Sequence, residues 1–447
     1  MVRRLFGKFG ALRETFWFIP ALMTLGSIVL SAFTLALDSE IDWTGFGSGP
    51  LSTAGSAEGA RTVLATIAGS MITVASLTFT ITIASLSLAS SQFGPRLVRN
   101  FIRDRGNQVV LGTFIATFTY CLLILRTVRG EESAFAVPSI SLTTGVILAM
   151  ASIGVLIYFI NHIAMSIQAT RIIATIGRDL TSAIESLYPD RRGGDEDGHE
   201  SEDAWSPIGE PRSIYSKGSG YIQAIDFAEL IESTEKAGIV LRLPHPTGQF
   251  IAKGATLGEV FGETRGSEVE LDDAVRQSIS LGGERAPGRD IEFFIDQLVE
   301  IAVRALSPGI NDPFTAMEAL DQMGASLRQL VGRQLPSPYH RDEQGNVRVV
   351  AEAQTFEGAL DAAFNAIRQY GAGSVPVMLR LMETIAVLAE SAHSSRHKEA
   401  LLTHARLVQR ATKARLHESV DIDALEARFE SVIEALESHQ KPREVAS

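Results

Sequence analysis

Residues 62–91 read TVLATIAGSMITVASLTFTITIASLSLASS, a stretch of 30 residues without a charged side chain. A helix crosses the hydrocarbon core of a bilayer with about 20 apolar residues, so this stretch is long enough to span it. Hydroxyl side chains recur at intervals of seven residues, at Thr66, Thr73, Thr80 and Ser87. Seven residues are about two helical turns, so these hydroxyls share one face. The stretch therefore predicts a long membrane helix with a polar stripe.

The complementary position of the same repeat carries Ser70, Leu77, Ala84 and Ser91. Small and hydroxylated side chains have two uses on a membrane helix. They can line a water-filled path, because Ser and Thr offer hydrogen-bonding groups without a buried charge. They can also let another helix pack closely, because small residues allow backbones to approach. The sequence leaves both uses open, and both apply if copies of the helix surround one axis.

Three further stretches are long and apolar enough to span a membrane: Phe16–Leu37, Val109–Leu125 and Ser139–Ile167. The first follows several basic residues and so resembles a signal peptide. Its apolar run nevertheless exceeds the usual length of about 7–15 residues, and no convincing cleavage site follows it. We therefore predict a retained span and a four-span membrane domain.

The basic residues of the short loops predict the orientation. Those of the N-terminus and of the loop after the second span are Arg3, Arg4, Lys8, Arg13, Arg96, Arg99, Arg103 and Arg105. The loop between the first two spans is acidic instead, with Asp38, Glu40, Asp42 and Glu58 against Arg61. Because cytosolic loops carry the excess of Lys and Arg, both termini are predicted to be cytosolic.

The second span ends in Gln92-Phe93-Gly94-Pro95, and Arg96, Arg99 and Arg103 follow at three- and four-residue spacing. Around an axis, several copies would form an arginine collar that concentrates anions at the cytosolic mouth. The preference for cytosolic basic residues explains the same arginines without a pore. No Asp, Glu, Lys or Arg lies deep within a span, which disfavours proton-coupled transporters and pumps. His162, near the end of the fourth span, is expected to be an interface histidine.

The net charge of −12 is the sum of two halves with very different charges. Residues 1–190 hold 13 Lys and Arg and 11 Asp and Glu, which gives +2, and the remaining 257 residues carry −14. An acidic soluble half of this size argues against a nucleic-acid partner. Cys121 is the sole cysteine, which excludes a scaffold built on intrachain disulfides.

The predicted fold class is mainly α, with a four-helix transmembrane domain followed by a cytosolic α+β domain. The predicted divisions are a transmembrane domain at 1–190, a linker at 191–211, a small β-rich unit at 212–265 and a helical domain at 266–447. Short β-branched runs at Tyr221–Ile225 and Ile239–Leu243 predict strands. The polar, Pro-containing region Leu335–Arg348 is expected to be a surface loop.

Six helices are predicted from apolar residues at three- and four-residue spacing: Asp290–Ala305, Pro313–Leu330, Phe356–Tyr370, Val375–Ala392, Ser395–His417 and Ile422–His439. Between the first two of them, Ser307, Asn311 and Asp312 lie in a loop rich in Pro and Gly. They form a candidate ligand or gating loop. Turn and capping chemistry is the alternative, because Asp followed by Pro is a typical helix start.

His393, His397 and His404 have the spacing of one helical face, which can bind zinc. Their surroundings are polar, so a solvated face is the preferred interpretation and no metal site is predicted. The sequence lacks a nucleophile elbow, a phosphate-binding glycine loop, a dinucleotide fingerprint and a metallopeptidase motif. We therefore predict a protein that is not an enzyme and needs no cofactor.

Two long segments carry a resemblance to a known family. They are TFTITIASLSLASSQFGPRLVRNFIRD at residues 78–104 and RALSPGINDPFTA at residues 304–316. Together they resemble a bacterial family of predicted membrane proteins, domain of unknown function 2254, over roughly residues 10–435. The resemblance implies a four-span membrane part and a cytosolic domain, and it implies no activity.

The leading functional hypothesis is a homo-oligomeric ion channel of the bacterial inner membrane. Its pore would be lined by the hydroxyl stripe, its arginine collar would favour anions, and its partners would be lipid, inorganic ions and further copies of the chain. The alternative is a membrane-anchored sensor or scaffold whose cytosolic domain binds a protein. An enzyme acting at the membrane surface is the least supported hypothesis.

Overall fold

The computed structural model describes residues 16–40, 57–94, 104–128, 138–166, 168–189, 205, 209–286, 290–352 and 354–438, with the backbone alone for residues 92 and 93. This part of the chain contains thirteen helices and eight strands. It divides into two compact units, Met1–Arg171 and Ile172–Ser447. The predicted fold class, mainly α with small sheets in the C-terminal half, is confirmed.

The first unit contains the four predicted spans. They are α1 (Phe18–Glu40), α2 (Ala57–Phe93), α3 (Arg105–Thr127) and α4 (Ser139–Ser166). Each is long and apolar enough to cross a membrane. Their charged residues lie near the helix ends, as Asp38, Arg61 and Arg126 do. The prediction of four candidate spans is therefore confirmed.

The central helix of this unit is α3, which packs against α1, α2 and α4. Half of its most apolar window is buried, against 22% in each of the other three spans. Gly112 makes one close approach possible, because a Cβ at this position would lie 2.6 Å from the Met23 sulfur of α1. The buried Tyr120 hydroxyl donates to the Ser141 carbonyl and lies 2.9 Å from the Thr34 hydroxyl. The Tyr120 hydroxyl in the middle of α3 thus finds partners inside the unit, as an apolar solvent requires.

Helix α5 (Ala169–Leu187) begins three residues after α4 ends. Its apolar face, formed by Ile173, Ile176, Leu180 and Ile184, is fully buried. The predicted transmembrane domain extended to residue 190, but the first compact unit ends at Arg171. The amphipathic pattern of α5 explains the difference, since such a helix buries one stripe against a soluble core rather than crossing a membrane.

The second unit contains two sheets built from eight short strands. These are β1 (Arg212–Tyr215), β2 (Gly220–Ile225), β3 (Val240–Leu243), β4 (Phe250–Ile251), β5 (Thr256–Phe261), β6 (Ile279–Gly282), β7 (Tyr339–Arg341) and β8 (Val347–Ala351). The five-stranded sheet has the order β1-β5-β3-β8-β7, and the three-stranded sheet has the order β4-β2-β6. Only the β3–β8 pair is parallel among the strand pairs of the described residues.

The expectation of a surface loop at Leu335–Arg348 is wrong. Strand β7 pairs antiparallel with β8, and β8 pairs with β3 in the middle of the larger sheet. The alternation of buried Val347, Val349 and Ala351 along β8 is the pattern of a half-buried strand. Because β6, β7 and β8 all lie beyond residue 265, the predicted division at that residue does not separate the sheets from the helices.

Eight helices complete the second unit. They are α6 (Phe227–Ala237), α7 (Glu268–Ser278), α8 (Ile291–Ala305), α9 (Pro313–Val331), α10 (Phe356–Gly371), α11 (Val375–Ala389), α12 (Ser395–Lys413) and α13 (Ser419–Ser438). All six helices predicted in this half are present, with ends that differ by a few residues. Side chains of Asp226, Ser267, Asp290, Asp312 and Thr355 cap the first turns of their helices. Such caps satisfy backbone N–H groups that have no partner within the helix.

Helix α10 gives a direct test of the helical core. It packs between α8 and α12, and Phe364 on its inner face is fully buried, whereas Tyr370 near its end is 65% exposed. We expect Phe364→Ala to lower the free energy of unfolding by about 3–5 kcal/mol, because it leaves a cavity. Tyr370→Ala is the matched control, with a change below about 0.5 kcal/mol. Chemical denaturation of the purified full-length protein measures both, and equal effects would contradict the described packing.

Candidate functional site: the outward face of the second span

Helix α2 has two small faces on opposite sides. The inner face carries five buried alanines, Ala57, Ala60, Ala68, Ala75 and Ala89. The first four of them pack with Leu64 and Met71 against residues of the other spans. Small residues here allow the close helix contact that was one of the two uses predicted for the hydroxyl stripe. Within the chain, the alanine face has that role.

The hydroxyl stripe lies on the other side of α2. Its eight predicted positions, Thr66, Ser70, Thr73, Leu77, Thr80, Ala84, Ser87 and Ser91, are all exposed in the single chain. At about 100° per residue, the stripe points nearly opposite to the alanine face. Packing among the described residues therefore does not explain the stripe, and this face is exposed toward lipid, water or a second copy.

The threonine hydroxyls of the stripe are turned back toward their own helix. Thr66 donates to the Thr62 carbonyl, Thr73 to the Gly69 carbonyl and Thr80 to the Ser76 carbonyl, at 2.7–2.9 Å. Each hydroxyl proton is used in this way, while the oxygen lone pairs still face outward. These three threonines therefore present hydrogen-bond acceptors on the outer surface of α2, and none of their hydroxyl donors is left unpaired.

Large apolar side chains border the stripe on both sides. Ile72, Phe79 and Ile83 are 40–48% exposed along one border, and Val63 and Leu88 are 41–45% exposed along the other. A hydroxyl stripe between two apolar borders gives α2 an outer surface with three distinct zones. The arginines predicted to follow this helix at the mouth, Arg96, Arg99 and Arg103, lie outside the described residues.

The candidate ligand or gating loop is held by its own turn and cap bonds. The Asp312 carboxylate accepts from the Phe314 and Thr315 backbone N–H groups and from the Thr315 hydroxyl. The Thr315 hydroxyl and these amides hold the pKa of Asp312 below its usual range. Ser307 donates to the Arg304 carbonyl, and Asn311 adopts a left-handed backbone with φ of 51°. The capping alternative therefore accounts for Asp312 and Ser307.

The three histidines considered for zinc do not share one helix, because α12 begins at Ser395 and His393 precedes it. His397 packs on the Phe356 ring at 4.4 Å, and His404 lies edge-on to Phe364. Burial lowers the pKa of His404. Within the described residues, no group of three or more His, Cys, Asp or Glu side chains is placed to hold a metal ion.

Two polar contacts in the first unit were not predicted from the sequence. Asp38, at the end of α1, accepts from the backbone N–H groups of Ile140 and Ser141 and from the Ser141 hydroxyl. At the other end of α4, His162 Nε2 lies 2.6 Å from the Asp104 carboxylate. Both Asp residues lie beside the ends of predicted spans, and this position was the available signal in the sequence. Residue spacing does not predict which distant residue each of them contacts.

A buried ionic network was also missed in the second unit. The Asp290 carboxylate, which is fully buried, accepts from Arg285 at 2.7 Å and from Gln354 at 3.0 Å. Gln354 in turn accepts from the Tyr188 hydroxyl at 2.7 Å. Burial raises the pKa of Asp290, although Arg285 opposes this effect. The connected hydrogen bonds join the start of α8 to the segments before α10 and after α5, which is a structural role.

An open groove of about 1050 Å³ lies between α5, α9 and α11. Its floor includes Gly324, where a Cβ would lie 2.7 Å from the Thr384 methyl group. Arg380, in its wall, lies 3.6 Å from Asp321 and 3.7 Å from Glu383. These three side chains carry charges of both signs and partly compensate one another.

These features define a membrane protein with four candidate spans and a mixed α and β domain. The chain belongs to the family described as Predicted membrane protein (DUF2254), whose model matches residues 13–387. It is similar to the uncharacterized protein Mb1321c of Mycobacterium bovis and the uncharacterized protein Rv1290c of Mycobacterium tuberculosis. Each is 31% identical over 366 residues, which cover 81% of this chain and 70% of the relative. No solved structure matches the chain.

The loop before α9 gives a test of its capping role. We expect Asp312→Ala to destabilise the protein by about 0.5–2 kcal/mol, because it removes the N-cap of α9. Asp312→Asn is the matched control and keeps nearly full stability, since Asn is also a good N-cap. The lowered pKa of Asp312 means that its contribution is present above the ordinary titration range of Asp and is lost as the pH falls through the lowered value. Chemical denaturation at neutral and acidic pH measures both effects, and an unchanged stability of Asp312→Ala would refute the capping role.

Proposed function

We propose that the protein is a homo-oligomeric ion channel in which copies of α2 surround a pore. The observation that carries the proposal is the exposure of all eight stripe positions in the single chain. The alanine face of α2 is already used inside the unit, so the stripe is the small, polar face left for contacts beyond it.

The zoned outer surface of α2 supports the same arrangement. A pore-lining helix needs a polar zone toward water and apolar zones toward its neighbours. The hydroxyl oxygens of Thr66, Thr73 and Thr80 supply acceptors toward water, and Ile72 and Phe79 supply apolar contacts on one border. A helix that only faced lipid has no use for a polar zone running along it.

The charge pattern suggests the orientation and the selectivity. Basic residues of the N-terminus and of the loop after α2 favour a cytosolic location for both termini in a bacterial inner membrane. Arg96, Arg99 and Arg103 follow α2 in sequence and would raise the local concentration of anions at the cytosolic mouth. We propose no enzymatic activity for the protein.

A membrane-anchored sensor or scaffold is the second candidate, and the groove between α5, α9 and α11 favours it. In that case the spans only anchor the chain, and the second unit binds a protein through the groove. The mixed charges of Arg380, Asp321 and Glu383 suit a partner surface that also carries both signs.

Cysteine substitution separates the faces of α2. In a Cys121→Ala background, Thr66→Cys, Thr73→Cys and Thr80→Cys are expected to react with a charged, membrane-impermeant thiol reagent, because a pore brings water to them. Ile72→Cys and Phe79→Cys on the border, and Ala68→Cys on the inner face, are the controls and should stay unreactive. Mass spectrometry of the labelled full-length protein measures the reaction. Equal reactivity of the stripe and the border would remove α2 from the pore.

Ion flux tests the proposal directly. Purified full-length protein in liposomes should pass Cl⁻, and Thr73→Trp should abolish the flux because the indole fills the axis. Ile72→Trp, on the exposed border, is the control and should retain the flux. The channel proposal is wrong if the wild-type protein passes none of Cl⁻, K⁺ and Na⁺ under voltage, tension or pH steps. The scaffold then becomes the leading candidate.

A further inference from the structure

Helices α5 and α9 run parallel from one end of the second unit. A Cβ at Gly177 of α5 would lie 2.6 Å from the Gln322 side chain of α9. Further along both helices, the Thr181 and Ser326 hydroxyls lie 2.9 Å apart. Because the contacts advance in the same direction on both helices, the starts of α5 and α9 lie at the same end. We call this end the proximal end, since α5 is the helix that follows the span α4.

The loop before α9 exposes apolar side chains at the proximal end. Phe314 is 75% exposed and Ile310 is 50% exposed. The loop is nevertheless ordered, because the Ile310 N–H donates to the Ser307 carbonyl and the Asp312 N–H to the Ala305 carbonyl, at 2.8–3.0 Å. Capping chemistry accounts for Ser307 and Asp312, and it requires no apolar side chain at positions 310 and 314. These two exposed side chains therefore need another explanation.

The end of α10 lies at the proximal end too. A Cβ at Gly371, the last residue of α10, would lie 3.3 Å from the Leu306 side chain. Leu306 directly follows α8 and begins the loop that carries Ile310. Tyr370, which precedes Gly371, is therefore at the same end of the unit as Ile310, and it is also largely exposed.

The connection between α12 and α13 reaches the same end. Helix α12 is parallel to α10, because His397 packs on Phe356 and, further along both helices, His404 packs on Phe364. The end of α12 therefore lies on the side of the unit where α10 ends. A connection of five residues leads from there to α13, and Val420 in the first turn of α13 is 75% exposed.

The exposed apolar side chains of the helical part are thus concentrated at one end. In the described part of residues 290–438, five large apolar side chains are exposed, and four of them are Ile310, Phe314, Tyr370 and Val420. The fifth, Val387, lies near the other end of α11. Single exposed apolar residues are ordinary on a protein surface, whereas a group of them indicates contact with a protein or a membrane.

The chain itself holds the proximal end beside a bilayer. Helix α4 has 28 residues and a length of about 42 Å, which matches a bilayer of about 40–45 Å with its headgroups. The end of α4 therefore lies in a headgroup region. Ala169, the first residue of α5, follows the last residue of α4 by three positions, which span at most about 11 Å. A membrane surface is thus within reach of the proximal end in every copy of the protein.

The charges at the proximal end favour an apolar contact over an electrostatic one. Segment 304–314 holds one Arg and one Asp, and segment 410–423 holds three Lys and Arg against three Asp and Glu. Both segments are neutral, although the C-terminal half as a whole is strongly acidic. Headgroups are therefore neither strongly attracted nor repelled, and the apolar side chains determine the affinity.

We propose that the proximal end of the second unit inserts Ile310, Phe314, Tyr370 and Val420 into the interfacial region of the bilayer. The side chains of Ile310, Phe314 and Val420 enter the boundary between headgroups and acyl chains, as the apolar face of an interfacial helix does. The Tyr370 ring lies at the same depth with its hydroxyl toward the headgroups. The second unit is then held on the membrane surface by several side chains as well as by its covalent link to α4. This contact requires the spans but not conduction.

Spin labels test the contact in the full-length protein, in nanodiscs of phosphatidylcholine. In a Cys121→Ala background, a nitroxide is attached to Ile310→Cys, Phe314→Cys or Val420→Cys. Collisions with oxygen report acyl chains, because oxygen is concentrated there, and collisions with a water-soluble nickel chelate report water. We expect the ratio of oxygen to nickel collisions to be severalfold higher at these three positions than at a water-exposed control.

Phe250→Cys is the matched control, because Phe250 is an exposed aromatic residue at the opposite end of the unit. It follows Gly248, which lies against the Asp290 carboxylate at the start of α8. The 15 residues of α8 place that point about 22 Å from the end of the helix. Equal collision ratios at Phe314→Cys and Phe250→Cys would overturn the membrane contact. Low collision rates with both reagents at Phe314→Cys would also overturn it and would indicate that a second copy of the chain covers the surface.

A charge substitution tests whether the four side chains act on one membrane surface. Ile310→Asp combined with Phe314→Asp should lower the oxygen collisions and raise the nickel collisions of the label at Val420→Cys. The fold should be unaffected, because both side chains are exposed and Asp is favourable in the first turn of a helix. An unchanged Tm establishes this for the variant. A label at Val420→Cys that still reports acyl chains would overturn the role assigned to Ile310 and Phe314.

Discussion

The close packing of α2 on α3 determines which face of α2 points away from the first unit. In lipid, apolar side chains gain little by leaving their surroundings, so helices associate through close contact and polar pairing. The alanines of α2 provide that contact, and the Thr34 and Tyr120 side chains with the Ser141 carbonyl provide the pairing around α3. Once the alanine face is committed to α3, the hydroxyl face of α2 has to point away.

Much of this arrangement was predictable, because membrane spans have a strong signal in sequence. The four spans, the main helices of the second unit and the seven-residue stripe all follow from composition and periodicity. Which face of α2 is buried did not follow, since alanine and serine are both small and both suit a helix contact. The packing of the folded chain distinguishes the two faces, for example where Leu64 and Ala68 join the cluster of Tyr120, Cys121 and Leu142.

The elements that were missed are short or depend on distant partners. Helix α7 buries few apolar side chains, chiefly Leu271 and Val275, so its periodicity is weak. Strand β8 becomes recognisable only beside β3, about a hundred residues earlier in the chain. The Asp104–His162 and Asp38–Ser141 contacts join residues 58 and 103 positions apart. Such pairings are properties of the folded chain, and no local pattern of residues encodes them.

The length of α2 has a consequence for the lipid around it. Its 37 residues extend for about 55 Å at 1.5 Å per residue, while the hydrocarbon core of a bilayer is about 30 Å thick. A helix with such surplus length meets a thicker or thinner bilayer by changing its tilt. The alanine contacts couple any such tilt to α3. Acyl-chain length is therefore a physical variable for this protein, and the membrane acts on it as a mechanical load as well as a solvent.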